Sequence, residues 1–228
     1  MPFDVQEIYF SARGDPSVIL HGYLLNPTSS APKQLVCVFV HPWGLLGGSQ
    51  GNTYPYAELL CDRFGYRCLI FNCRGVGMST GKSSFKCFEE ITDVLGACDW
   101  VESNLRGDIV LVGSSAGAAV AGSALDRVPR AVAYVGIGYT FGWCSGLVLG
   151  GHYEGILKST KPKLFIMGTD DGFTTVTQLE SRVQSMENAT MKLVKGVGHF
   201  ALERSLYAAR TCEYISDFMV NIGSEETT

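Results

Sequence analysis

The stretch Val110-Leu111-Val112-Gly113-Ser114-Ser115-Ala116-Gly117-Ala118-Ala119 decides how the chain is read. An apolar run ends abruptly in small residues and then becomes helix-compatible, the pattern of a buried strand, a very tight turn and a helix. Gly113, Ser115 and Gly117 fall in the G-x-S-x-G spacing, which sets a serine at the tip of a strained strand-to-helix turn and uses glycines to relieve the crowding. Read this way, Ser115 offers one hydroxyl at the top of a sheet. The same five residues also suit an ordinary Gly/Ser turn, so the rest of the chain has to decide.

A serine nucleophile needs a base within hydrogen-bond reach and an acid to orient that base, and behind an elbow of this kind they follow in the order Ser, Asp or Glu, His. Two histidines follow Ser115. His199 lies in Gly196-Val197-Gly198-His199-Phe200, a glycine-flexible loop after the last strand, where an imidazole would be presented to the site. His152 lies in a connection without periodicity and is the weaker candidate. For the acid, Leu164-Phe165-Ile166-Met167-Gly168-Thr169-Asp170-Asp171 ends a strand in adjacent carboxylates that must point in different directions. Asp171 is the choice and Asp170 the alternative, because the longer distance from Gly168 lets the chain turn back across the strand end. Capping of the next helix does not need either one, since Thr174 and Thr175 can do it. An oxyanion hole needs backbone N–H groups aimed at the developing charge. One would come from Ala116. The other would come from His41-Pro42-Trp43-Gly44-Leu45-Leu46-Gly47-Gly48, with Trp43 as donor.

Working outward from the elbow, the chain alternates strand and helix. Val5 to Ala12 and Val18 to Leu25 flank the hairpin-like Arg13-Gly14-Asp15-Pro16-Ser17 and read as an antiparallel pair at a sheet edge. After the linker Asn26 to Pro32, Leu35 to Val40 is continuously apolar, as a strand covered on both faces must be. Tyr56 to Phe64 reads as a helix closed by Gly65, and Tyr66 to Phe71 as a strand. Ile91, Val94, Leu95, Cys98 and Val101 form one helical stripe between Phe88 and Leu105. Strands follow at Ile109 to Val112, Ala131 to Ile137, Lys163 to Met167 and Met191 to Val194. Helices follow at Ala116 to Val128, around Val176, Leu179 and Val183, and over Leu202, Leu206, Ile215, Phe218 and Met219, with a frayed tail from Gly223 to Thr228. The expected fold is α/β: a mostly parallel sheet of the eight-stranded type with an antiparallel N-terminal pair, helices on both faces and no large cap, all in one domain over residues 1–228. Tyr139 to Lys161 is expected to be a short irregular flap facing substrate.

Composition narrows the class. The 228 residues are 46% hydrophobic and 18% charged with a net charge of −4, an ordinary globular balance without the basic footprint that nucleic acid requires. The N-terminus lacks the basic-then-apolar order of a signal peptide and no apolar run is long enough to span a bilayer, so the expectation is a cytoplasmic protein. None of the eight cysteines has C-x-x-C spacing, and Cys37 and Cys68 sit in strand-like runs as small core residues. Asn72 to Ser83 looks like a phosphate loop. Val76 occupies the first glycine position of a P-loop, however, and no acidic ribose ligand follows Gly75, Gly77 and Gly81, so a structural turn tied down by Arg74 and Ser79 is the economical reading. His21, in a strand-like run, is read as structural.

Together these segments resemble the α/β-hydrolase fold superfamily over nearly the whole chain. His41-Pro42-Trp43-Gly44 looks like the oxyanion loop, Arg74-Gly75-Val76-Gly77-Met78-Ser79 like the arginine-glycine turn, Gly113 to Gly117 like the elbow, Gly168 to Asp171 like the acid loop and Gly198-His199-Phe200 like the histidine loop. Within the superfamily the chain is most similar to small, cap-poor, dienelactone-hydrolase-like or uncharacterised eukaryotic serine hydrolases. It has serine where dienelactone hydrolases have cysteine, and proline where many lipases have glycine after the loop histidine. The resemblance implies a carboxylesterase-like serine hydrolase that cleaves an ester, thioester or lactone through Ser115, His199 and Asp171, with no metal or organic cofactor. Trp43, Phe141, Trp143, Phe173 and Phe200 are expected to line a mainly apolar pocket for a small-molecule substrate. A lyase or cyclase on the same residues, or a silent binding module, is the alternative.

Overall fold

A computed structural model describes residues 3–28 and 33–225, with the side chains of 143, 144 and 223–225 left aside. Eight strands form one sheet in the order β1-β2-β4-β3-β5-β6-β7-β8. They are β1 (Phe3–Ala12), β2 (Asp15–Pro27), β3 (Leu35–Val40), β4 (Arg67–Phe71), β5 (Asp108–Ser114), β6 (Ala131–Ile137), β7 (Lys163–Gly168) and β8 (Ala189–Val194). From β4 to β8 every pairing is parallel, whereas β1 pairs with β2 and β2 with β4 antiparallel. The hairpin turn is tighter than the sequence suggests. Asp15, Pro16 and Ser17 join β2, and Arg13 and Gly14 alone make the reversal opposite a register shift at Ser11/Ala12.

The apolar runs of β3 and β5 are continuous because both faces are buried, and their alternation sends successive side chains to opposite sides. Val36, Val38, Ile109 and Leu111 enter one core, Cys37, Phe39, Val110 and Val112 the other. The first core is covered by α2 (Glu90–Asn104), α3 (Ala116–Ala124), α5 (Tyr153–Lys158) and α6 (Val176–Gln184). The second is covered by α1 (Gln50–Phe64) and α7 (Ser205–Glu225), the latter through Ala208, Cys212, Ile215 and Met219 at steps of one helical turn. All five stripe residues expected for α2 are buried.

Four expectations are corrected. Helix α1 does not begin after Pro55 but runs back through it to Gln50, because the Ser49 N–H donates to Asn52 Oδ1 at 3.0 Å and the Gln50 N–H to Asn72 Oδ1 at 2.9 Å, which secures the first turn. The helix after the elbow ends at Ala124 and passes into a 3₁₀ turn, Leu125–Arg127. The connection from Tyr139 to Lys161 is mostly helical rather than irregular, with α4 (Trp143–Leu149), a 3₁₀ turn at Gly150–His152, and α5. Helix α7 continues to Glu225 where fraying was expected, and Leu206 lies exposed on it while Leu202, ahead of the helix, is buried. Residues 29–32 of the linker and 226–228 of the tail lie outside the described residues.

The loop from Asn72 to Ser83 is pinned on every side. Arg74 meets the buried Asp93 of α2 through Nε at 3.0 Å and Nη2 at 2.7 Å, and the Ser79 hydroxyl donates to the Asn72 carbonyl at 2.6 Å while accepting the His21 N–H at 2.9 Å. Removing one partner of such a buried pair costs about 3–5 kcal/mol. Among the described residues no helix is long and apolar enough to cross a membrane.

Candidate active site

Strand order reverses at β3, which lies between β4 and β5, and ligands of open α/β sheets bind outside the carboxyl ends of the strands at such a switch point. Ser115 stands there, between the end of β5 and the start of α3, with φ 54° and ψ −122°. That is a left-handed backbone for a residue with a Cβ, and it persists only because the surroundings fix it. The Ser115 N–H donates to the Ile137 carbonyl at 2.8 Å and its carbonyl accepts from Ala118 N–H at 3.0 Å. The flanking glycines are sterically required. A Cβ at Gly113 would lie 2.4 Å from Ala118 Cα, and one at Gly117 would lie 2.2 Å from the His41 carbonyl oxygen. The absence of side chains thus lets α3 press on β5 and on the loop after β3.

Three strand ends bring a hydrogen-bonded chain together. Ser115 Oγ lies 2.8 Å from His199 Nε2, and His199 Nδ1 lies 2.7 Å from Asp171 Oδ2. Asp171 follows β7 and is buried, and its Oδ1 also accepts the Phe173 N–H at 2.8 Å and the Thr174 N–H at 3.0 Å. Its neighbour Asp170 is exposed and takes only the Thr169 hydroxyl, at 2.9 Å. His199 opens a 3₁₀ turn after β8, and its ring fits beside Gly138, where a Cβ would stand 3.2 Å from Cε1. With Nδ1–H committed to Asp171, the Nε2 lone pair faces the serine hydroxyl, the arrangement that lets an imidazole accept its proton.

Ala116 opens α3, so its N–H belongs to the helix end that has no intrahelical partner. Trp43 faces it across a cavity of about 20 Å³, which Gly44, Val76, Cys87 and Gly117 also line. The space holds roughly one water-sized group. The Trp43 indole packs on Phe85 at 5.3 Å.

The expected aromatic pocket is only partly assembled. Phe173 and Phe200 flank the imidazole with ring centroids at 4.5 and 5.2 Å from it, and both are open to solvent, Phe200 at 67%. Phe141 is instead a core residue, 5% exposed, stacked on Tyr139 at 4.0 Å and packed against Tyr153 and Phe165. Folding of the 139–161 connection into helices draws it down onto the sheet. The side chain of Trp143 lies outside the described residues. His152 is structural: it is buried, stacked on Phe88, and held by the Ser123 hydroxyl at 2.9 Å and the Lys86 carbonyl at 2.7 Å. No group of three or more His, Cys, Asp or Glu side chains among the described residues is arranged to hold a metal ion.

Two further residues belong to the site. His41 is buried where β3 ends. Its Nδ1–H donates to the Pro42 carbonyl at 2.5 Å and its Nε2 accepts the Cys73 N–H at 3.0 Å, joining the loops after β3 and β4. Burial pushes its imidazole down to about 4, so it is neutral at pH 7. Glu203, just beyond the histidine turn, accepts from Asn52 Nδ2 at 2.9 Å and from the Ser114 hydroxyl at 3.1 Å, and burial raises its carboxyl above the usual range. The histidine in His41-Pro42 was visible in sequence as part of a glycine-rich loop, but its partner 32 residues away was not. Nothing local marks Glu203, whose partners are 151 and 89 residues distant.

Curated protein sequences give no match to the chain. Among solved structures it is similar to an alpha-beta serine hydrolase homologue from Coxiella burnetii, with 23% identity and a TM-score of 0.75 over 93% of this chain and 96% of that one. It is also similar to a lidless serine hydrolase from Xanthomonas campestris, with 18% identity and a TM-score of 0.76 over 94% of both chains. An esterase from Pyrococcus furiosus matches at 18% identity and a TM-score of 0.77 over 96% of this chain and 93% of that one. At these identities the likeness is one of fold. The sequence itself matches the alpha/beta hydrolase family over residues 37–150, half its length, from the third strand through the elbow to the helical connection, and the chain belongs to that family.

Proposed function

We propose that the protein is a serine esterase acting on small, mainly apolar acyl esters, thioesters or lactones. The observation that carries this reading is the unbroken chain from Ser115 Oγ to His199 Nε2 at 2.8 Å and from His199 Nδ1 to Asp171 Oδ2 at 2.7 Å. In the proposed reaction Ser115 Oγ attacks the substrate carbonyl while His199 Nε2 takes its proton. The Ala116 and Trp43 backbone N–H groups receive the oxyanion, and Asp171 stabilises the imidazolium. The C–O or C–S bond to the leaving group breaks as His199 returns the proton to it, leaving an acyl-Ser115. Water, deprotonated by His199, then releases the acid and regenerates the hydroxyl.

An apolar substrate is supported by the placement of exposed side chains. Leu45, Leu46, Phe85, Phe88, Leu147, Phe173 and Phe200 all follow the carboxyl ends of parallel strands, where the site lies, and each is at least 40% exposed. Apolar surface concentrated at one end of a sheet marks a binding face. We also place the protein in a reducing compartment such as the cytoplasm, since among the described residues seven buried cysteines carry free thiols. The test is covalent labelling by a fluorophosphonate probe: the wild type is labelled and Ser115→Ala is not. Labelling that survives the substitution overturns the reading.

A further inference from the structure

Glu203 ties the end of β5 and the start of α1 to the segment that carries His199. Its own segment follows directly from the His199 turn. Its Oε1 holds the hydroxyl of Ser114, the residue before Ser115, and its Oε2 holds the amide of Asn52. That amide's oxygen takes the Ser49 N–H at 3.0 Å, just past the His41 to Gly48 loop. The groups bonded to the carboxylate are neutral. Facing it as well is Tyr56, whose phenol burial and Glu203 both keep protonated and whose hydroxyl donates to the Leu202 carbonyl. The imidazole itself faces Ser115, Asp171, Phe173 and Phe200.

Resting on the proposed serine-esterase reading, we infer that Glu203 is a positioning residue that holds the elbow, the start of α1 and the histidine loop in register. Replacing the carboxylate by Leu removes both acceptors and frees Ser114 and Asn52, whereas Gln keeps one acceptor oxygen in the same place.

The experiment measures kcat and KM separately with p-nitrophenyl acetate for the wild type, Glu203→Leu, Glu203→Gln and Asn52→Ala, with folding checked by circular dichroism. Glu203→Leu should lower kcat by about three- to tenfold and leave KM within about twofold, and Glu203→Gln, which keeps one acceptor oxygen, should recover most of the loss. Asn52→Ala, which cuts only the link towards Ser49, should lower kcat by less than Glu203→Leu and carries the test if the leucine variant does not fold. An unchanged kcat in the folded, fluorophosphonate-reactive variants overturns the inference and leaves the esterase reading standing. Loss of that reading would show instead as labelling of Ser115→Ala.

Discussion

The neutral, buried His41 makes the stability of the protein depend on pH in a window that can be worked out. Its imidazole is pushed from the ordinary 6.5 down to about 4 in the folded chain, because charging it would place a cation in the core beneath the loop after β3. The unfolded chain takes up a proton as pH falls below 6.5, whereas the folded chain does not until about 4. Stability is therefore fully present above 6.5 and is lost as pH falls towards 4, where both states bind the proton. Between pH 8 and pH 4.5 the loss from this one residue is about 2.5 kcal/mol. For a chain of 228 residues that corresponds to a fall in Tm of roughly 5–10 °C. The assay is urea unfolding followed by circular dichroism across that range, comparing the wild type with His41→Gln. Glutamine cannot be charged, and its carbonyl can accept the Cys73 N–H in place of Nε2. The variant should be less stable at pH 8 through the lost bond to Pro42, yet its stability should fall less steeply on acidification, so the two curves converge by about 2.5 kcal/mol at pH 4.5. The other groups that burial shifts towards this range, Asp93, His152 and Glu203, titrate in both proteins and cancel in the difference. Parallel curves would refute the reasoning.

Other consequences are sharp enough to measure. Asp171→Asn should lower kcat for p-nitrophenyl acetate by about 10³- to 10⁴-fold by unsettling the imidazole tautomer, whereas Asp170→Asn, on the exposed neighbour, should stay within about twofold. Phe141→Ala should cost about 3–5 kcal/mol in unfolding free energy and leave KM unchanged well below the transition, as expected of a core ring rather than a pocket wall. Phe200→Ala should do the reverse. Its stability should change by no more than about 0.5 kcal/mol, while KM for longer acyl esters rises several-fold, measured by thermal melts and initial rates.

Much of the fold was legible because its signals are local. The unbroken apolar runs at Leu35 to Val40 and Val110 to Val112 mark strands buried on both faces, and the three- and four-residue steps from Ile91 to Val101 mark one helix face. The strand ends that carry Ser115, Asp171 and His199 could be placed for the same reason, since each is a change from an apolar run to glycine and polar residues. What could not be read depended on contacts between distant segments. Pro55 argues locally against a helix before it, but the bonds that the Ser49 and Gln50 N–H groups donate to Asn52 and Asn72 secure the turn. Phe141 looks like a loop aromatic until Tyr139, Tyr153 and Phe165 close around it. The short helices between Tyr139 and Lys161 are too brief for periodicity to declare them, at seven and six residues.

The two carboxylates near His199 differ in what is left of their bonding capacity, and this separates their proposed tasks. Asp171 uses Oδ1 on two backbone N–H groups, which fixes the plane of the carboxylate and leaves Oδ2 aimed at Nδ1. With the plane fixed, the imidazole has one direction in which to donate, and Nε2 is left as an acceptor towards Ser115. Glu203 spends one bond per oxygen on the neutral Asn52 and Ser114, so neither oxygen is offered to the imidazole as a proton acceptor. What it exerts on the elbow is its grip on the residue next to Ser115. That grip matters because the Ser115 backbone is held in a conformation it would leave if the elbow were free to relax. A group that anchors Ser114 thus helps to keep the proposed nucleophile presented.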